Sequence, residues 1–155
     1  MATAIVENIF DIFKKHKVPV NGVLYPRYIS AGLHLWDKQH QDSFTSEMNE
    51  LVRQGLVIAD NDAYRLTQNG YNQIYQHYTI QDTIDLIMGD FRRRRIGKNE
   101  ILLLPSLLST LQDADRYHLD NYDQAIKMLV KKGWLLSNGR GFVLTEEGYG
   151  EVYPD

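Results

Sequence analysis

The chain has 155 residues, no cysteine and a formal net charge of −3. Absence of cysteine excludes disulfides and thiolate metal sites and fits a cytoplasmic protein, and no apolar run approaches the roughly 18 residues of a membrane span. An acidic chain gains no bulk attraction to nucleic acid, so any such binding needs a local basic patch.

The opening MATAIVENIFDIFKKHK carries Glu7 and Asp11 among its apolar residues and does not read as a signal peptide. It predicts an amphipathic helix whose core face is Val6, Ile9, Phe10 and Phe13. An extended stretch, VNGVLY, ends at Pro26, where PRYISAGL predicts a short second helix with proline in its first turn. A polar connection leads to a third helix over Phe44–Gln54, with a buried stripe of Phe44, Met48, Leu51 and Val52 and a cap at Asp42 or Ser43. Gly55 follows at the place of a left-handed C-cap. LVIADNDAYRL then predicts two strands turning at Asp60-Asn61, and Thr67 caps a closing helix carrying Tyr71, Ile74, Tyr75 and Tyr78.

The same order then returns. Thr79 and Asp82 suggest a weak capping box before a helix buried through Ile80, Ile84, Ile87, Met88 and Phe91. NEILLL leads to Pro105 and a second helix, PSLLSTL. A third helix over Tyr122–Lys132 buries Tyr122, Ile126, Leu129 and Val130, with Asp120 or Asn121 as its cap and Gly133 beyond its end. WLLSNGRGFVL predicts a type I′ hairpin at Asn138-Gly139, and Thr145 caps the last helix. At a constant offset of 78, Leu51–Tyr75 and Leu129–Tyr153 match at 8 of 25 positions without a gap, which reads as a duplicated unit.

Helix, strand, helix, helix, hairpin, helix is the order of a winged helix-turn-helix, and LVKKGWLL…FVLTEEGY resembles the third helix and wing of PadR and MarR-like regulators. The resulting expectation is an α+β, mainly helical chain of two tandem winged-helix units related by internal duplication, 1–78 and 79–155. The resemblance implies a non-enzymatic regulator that places its third helix in the major groove of double-stranded DNA. Tandem winged helices also serve as adaptors between proteins, as in ESCRT-II subunits and kleisin-binding partners of bacterial condensins, which leaves a binding module without DNA as the alternative.

No enzymatic, cofactor or metal chemistry is expected. In GDFRRRRIGKN the glycines stand too far apart for a phosphate loop, and the five histidines lack ligand spacing. The candidate nucleic-acid surface belongs to the second unit: Arg92, Arg93 and Lys98, then Gln124, Lys127 and Lys131 on the third helix, and Arg140 at the wing tip. The corresponding helix of the first unit presents Glu47 and Glu50, which suit phosphate badly. Ile5 and Ile12 correspond to Thr83 and Asp90, so the first helix carries an additional apolar edge. Its expected role is an interface, either with the second unit or with a second copy as a homodimer.

Overall fold

The computed structural model describes residues 3–155 as a mainly helical α+β chain with two three-stranded antiparallel sheets. Among these residues no helix is long and apolar enough to cross a membrane. The chain divides between Gln76 and His77 into two compact units.

In the first unit, α1 (Ala4–Lys15) starts where Thr3 Oγ1 accepts from Val6 N–H at 3.2 Å. It leads through β1 (Val23–Leu24) and α2 (Pro26–Leu33) to α3 (Lys38–Arg53), β2 (Val57–Asp60), β3 (Ala63–Leu66) and α4 (Gln68–Ile74). The sheet runs β1-β3-β2. Ile9, Phe13, Leu24, Met48, Leu51 and Leu66 are its most deeply buried side chains. Expected to begin at Phe44, α3 in fact starts at Lys38, where the Asp37 carboxylate accepts from His40 N–H at 2.9 Å. Its first six residues, KQHQDS, have no apolar periodicity to mark them as helical.

The second unit comprises α5 (Ile80–Arg93), β4 (Ile101–Leu103), α6 (Leu104–Asp113), α7 (Arg116–Asp120), α8 (Tyr122–Lys131), β5 (Leu135–Ser137), β6 (Gly141–Leu144) and α9 (Glu146–Val152). Its sheet runs β4-β6-β5. Where α3 is continuous at Ser43, the equivalent position here breaks the helix, and the Asn121 side chain donates to Tyr117 O at 2.7 Å instead of capping α8. The buried stripe of α8 also differs from expectation. Ala125 is fully buried while Val130 is 38% exposed, because Tyr122, Ala125 and Leu129 set the helix face and Val130 follows on its margin. Tyr78 lies beyond α4, in the second unit, where its ring stacks on Tyr117.

Backbone features recur 78 residues on. Val57↔Leu66 and Ile58↔Arg65 pair across one sheet, and Leu135↔Leu144 and Leu136↔Val143 across the other. Every described residue with positive φ has its counterpart: Lys17 and Arg95, Asn21 and Asn99, Gly55 and Gly133, Asn61 and Gly139. At Gly55 and Gly133 this conformation closes α3 and α8 as anticipated. Leu56 N–H donates to Leu51 O at 3.0 Å and Trp134 N–H to Leu129 O at 3.1 Å, the outer bond of a Schellman end. Both hairpin expectations need correction: Asp60 pairs with Ala63, so the first turn is centred on Asn61-Asp62 and not on Asp60-Asn61. The second turn is centred on Gly139-Arg140, and only Gly139 has positive φ, which rules out type I′. Asn138 Oδ1 instead accepts from the N–H groups of Arg140 and Gly141.

Candidate nucleic-acid interface

Gln124, Lys127 and Lys131 stand at i, i+3 and i+7 on α8, so they form one stripe, and all three are exposed. The buried face of the same helix, through Ala125 and Leu129, holds that stripe outward. Arg140 is exposed at the β5–β6 turn. None of these cations makes an ion pair among the described residues. Beside them, the Lys132 amine lies 4.6 Å from the centroid of the Trp134 ring.

The equivalent surface of the first unit is neutralised internally. Glu50 holds Arg53 and accepts from Gln54 as well, and these hydrogen bonds bring its carboxyl down to about 2. Met128 occupies the place of Glu50 in the second unit, so Lys131, the counterpart of Arg53, has no carboxylate one turn away. Glu50 reaches the surface as expected, its side chain 42% exposed, while Glu47 is half-buried. They line a groove with Val6 and Phe10, because they flank the buried stripe of Phe44, Met48 and Leu51.

The remaining candidates lie on other parts of the second unit. Arg92 lies in a shallow groove with Asp85, Met88 and Glu151. Lys98 is 3.6 Å from the Glu146 carboxylate and 5.2 Å from the Tyr149 ring, so it sits against α9. Arg93 requires a correction. Its guanidinium donates to Asp90 and, at 2.7 Å, to Thr110 Oγ1, which gives it a role in holding α5 to α6. Arg94 donates to the same carboxylate at 3.1 Å and to Ser106 O. Asp90 itself is only 2% exposed.

No family model, curated protein or solved structure matches the chain. Among the described residues, no three His, Asp or Glu side chains are grouped as metal ligands would be.

The Asp90 cluster also corrects the reading of the first helix. Ile12, the counterpart of Asp90, is 5% exposed, and its side chain rests on Gly32, where a Cβ would stand 2.7 Å from Cδ1. It is therefore spent on α2 and is no free docking edge. Gly32 corresponds to Thr110, whose hydroxyl donates to Asp90 at 3.0 Å. An apolar contact in one unit thus stands where the other has a buried polar one. Ile5, half-buried, corresponds to Thr83, which is fully buried and shares a 2.9 Å hydrogen bond with His118 Nδ1.

That hydrogen bond belongs to a cluster at the start of the second unit. Tyr78 stacks on Tyr117 with centroids 5.2 Å apart, and its hydroxyl donates to Asp115 at 2.5 Å, which pushes the phenol up to about 12. Burial pushes the His118 imidazole below its ordinary 6.5, against the opposing pull of Asp115 and Asp82. A histidine held neutral in the folded state stabilises above its unfolded value, and that contribution is lost as pH falls through the lower folded value. Urea midpoints should therefore drop between about pH 7 and about pH 5, and a Thr83→Val, His118→Phe variant should lose that part of the slope. An identical slope in the variant would assign the pH dependence to other groups.

Proposed function

We propose that the chain is a pair of winged-helix units, related by internal duplication, and that the second unit binds double-stranded DNA. The matching left-handed positions and strand registers at an offset of 78 support the duplication. One observation carries the DNA reading. Gln124, Lys127, Lys131 and Arg140 are exposed without an acidic partner, whereas the first unit has Arg53 engaged by Glu50 and Asp62 in the place of Arg140. On such a helix Gln124 is able to meet adenine, and the two lysines phosphate or guanine. Arg140 at the tip of the hairpin reaches the backbone or minor groove.

Anisotropy titrations on a random duplex across a range of salt concentrations test this. Each lost phosphate contact removes about 0.9 from the slope of log K against log salt, so Lys127→Ala, Lys131→Ala and Arg140→Ala together should flatten it by roughly 2 to 3. Folding should be untouched, since all three side chains are exposed. An unchanged slope, or no binding by the wild type near 50 mM salt, defeats the reading.

A second reading, an adaptor that binds protein and not DNA, is favoured by the sheet of the second unit. Phe142, Leu102, Leu135 and Leu144 turn inward, which leaves Ile101, Val143 and Leu136 side by side on the other face with Leu103 beyond. Leu136 is 56% exposed and Leu103 42%. The first unit interrupts the same face with the Arg65–Asp60 ion pair.

A further inference from the structure

Between Asp11 and Asp37 the chain carries no acidic residue, and no longer stretch of it is free of them. Lys14, Lys15, Lys17 and Arg27 all fall there, in a chain whose net charge is −3. The fold brings the two basic ends of this stretch together. His16, at the end of α1, stacks on Tyr28 of α2 with ring centroids 4.0 Å apart and planes 15° from parallel. The Arg27 guanidinium lies 4.7 Å from the Tyr28 centroid and 5.0 Å from that of Tyr25. Tyr28 is thereby taken up by His16 and Arg27. Tyr25, just ahead of α2, is 46% exposed and borders an open groove.

The second unit lacks this arrangement. At the offset of 78, Leu103, Pro105 and Ser106 stand in place of Tyr25, Arg27 and Tyr28. Arg93 and Arg94, the counterparts of Lys15 and His16, are committed to Asp90. Ile12 replaces that carboxylate in the first unit, and among the described residues Lys14, Lys15 and Arg27 make no ion pair.

Unpaired cations around an open ring suit a ligand that is both anionic and flat. A nucleic-acid strand is both: unpaired bases stack on tyrosine rings and guanidinium planes, while lysines meet the phosphates. A duplex keeps its base faces inside its own stack and gains from the lysines alone. The groove beside Tyr25 has Val23, Pro26 and Ala63 in its walls, with Asp60 and Asp62 on the hairpin side. That lining admits a base and turns phosphates away, which leaves the lysines of α1 to hold the backbone.

We propose that the first unit binds single-stranded nucleic acid on this patch, one base stacking on Tyr25 beside Arg27 and the phosphates meeting Lys14 and Lys15. The assignment does not depend on whether the second unit binds a duplex.

The probe is a fluorescein-labelled oligothymidylate about 12 nucleotides long, within the usual span of a single-strand site. Anisotropy near 50 mM salt compares the full chain with its Lys127→Ala, Lys131→Ala, Arg140→Ala variant, and the two should bind alike. Tyr25 makes no cap bond with its side chain, so replacements there should fold. Tyr25→Ala should weaken binding about tenfold, the scale of one lost base stack, and Tyr25→Trp should keep it. Lys14→Gln with Lys15→Gln should flatten the slope of log K against log salt by about 1.4, from about 0.7 for each single-strand phosphate contact. A strand of equal length without bases should bind about tenfold more weakly than thymidylate. No binding by the full chain, loss of binding in the triple variant, equal affinity for Tyr25→Ala, or equal affinity for the baseless strand would each overturn the proposal.

Discussion

Asp90→Ile is expected to destabilise the second unit by about 3 kcal/mol, and adding Thr110→Gly is expected to restore most of that loss. The single change does two kinds of harm. It leaves the Thr110 hydroxyl and two guanidinium groups without their shared acceptor. It also brings a longer side chain against Thr110, where the first unit has room for Ile12 only because position 32 carries no Cβ. Removing Thr110 relieves both the contact and the orphaned hydroxyl. Arg93 and Arg94 have side chains 63% and 33% exposed, so water can take over part of their solvation. What remains is about 1 kcal/mol for a glycine inside α6. Urea denaturation of the wild type, both single variants and the double variant gives the coupling directly. If the two changes simply add, the two residues do not substitute for the Ile12–Gly32 contact and the interpretation fails.

This pair also marks where the sequence is legible and where it is not. Helix ends and turns can be read because backbone geometry selects residue types: Gly55 and Gly133 at left-handed ends, Thr67 and Thr145 as caps. Apolar periodicity finds α1, α5 and the second half of α3 for the same reason. It fails for Lys38–Asp42, whose helical state rests on the Asp37 cap and continuity with the buried turns that follow. It fails again for Thr83 and Asp90, since a polar residue on a buried face looks like a gap in the stripe. A signal was present nonetheless: Thr83, Ile87 and Asp90 keep the i, i+4, i+7 spacing of that face, and Arg93 and Arg94 follow Asp90 at i+3 and i+4. The candidate surface was legible as far as α8. Only that i, i+3 carboxylate set Arg93 apart from Lys127 and Lys131 in the sequence, since the contact of Arg93 with Thr110 depends on the packing of α6 against α5.

Two glycines in α9, two residues apart, are expected to respond to alanine in opposite directions. At Gly148 an added Cβ would lie 2.2 Å from Trp134 O and 2.9 Å from Leu144 Cδ1. The carbonyl cannot retreat, because it accepts from Thr145 Oγ1 at 3.0 Å and from Thr145 N–H at 3.1 Å. Those bonds seat α9 at the base of the hairpin that presents Arg140. Gly148→Ala should therefore cost about 3 kcal/mol, the upper range for forced overpacking, and loosen the hairpin with it. Gly150 has nothing within 4 Å of its would-be Cβ, and alanine there removes only the flexibility of glycine in a helix. Its expected effect is a gain of roughly 0.5 kcal/mol, small because the site is near the helix end. Gly70, with Leu56 O only 2.0 Å from its would-be Cβ, should behave like Gly148 in the first unit. Urea unfolding separates the cases. Were Gly148→Ala tolerated as well as Gly150→Ala, the approach of α9 to the strand would not be the constraint that the two Thr145 hydrogen bonds make it, and the shared glycine at positions 70 and 148 would need another cause.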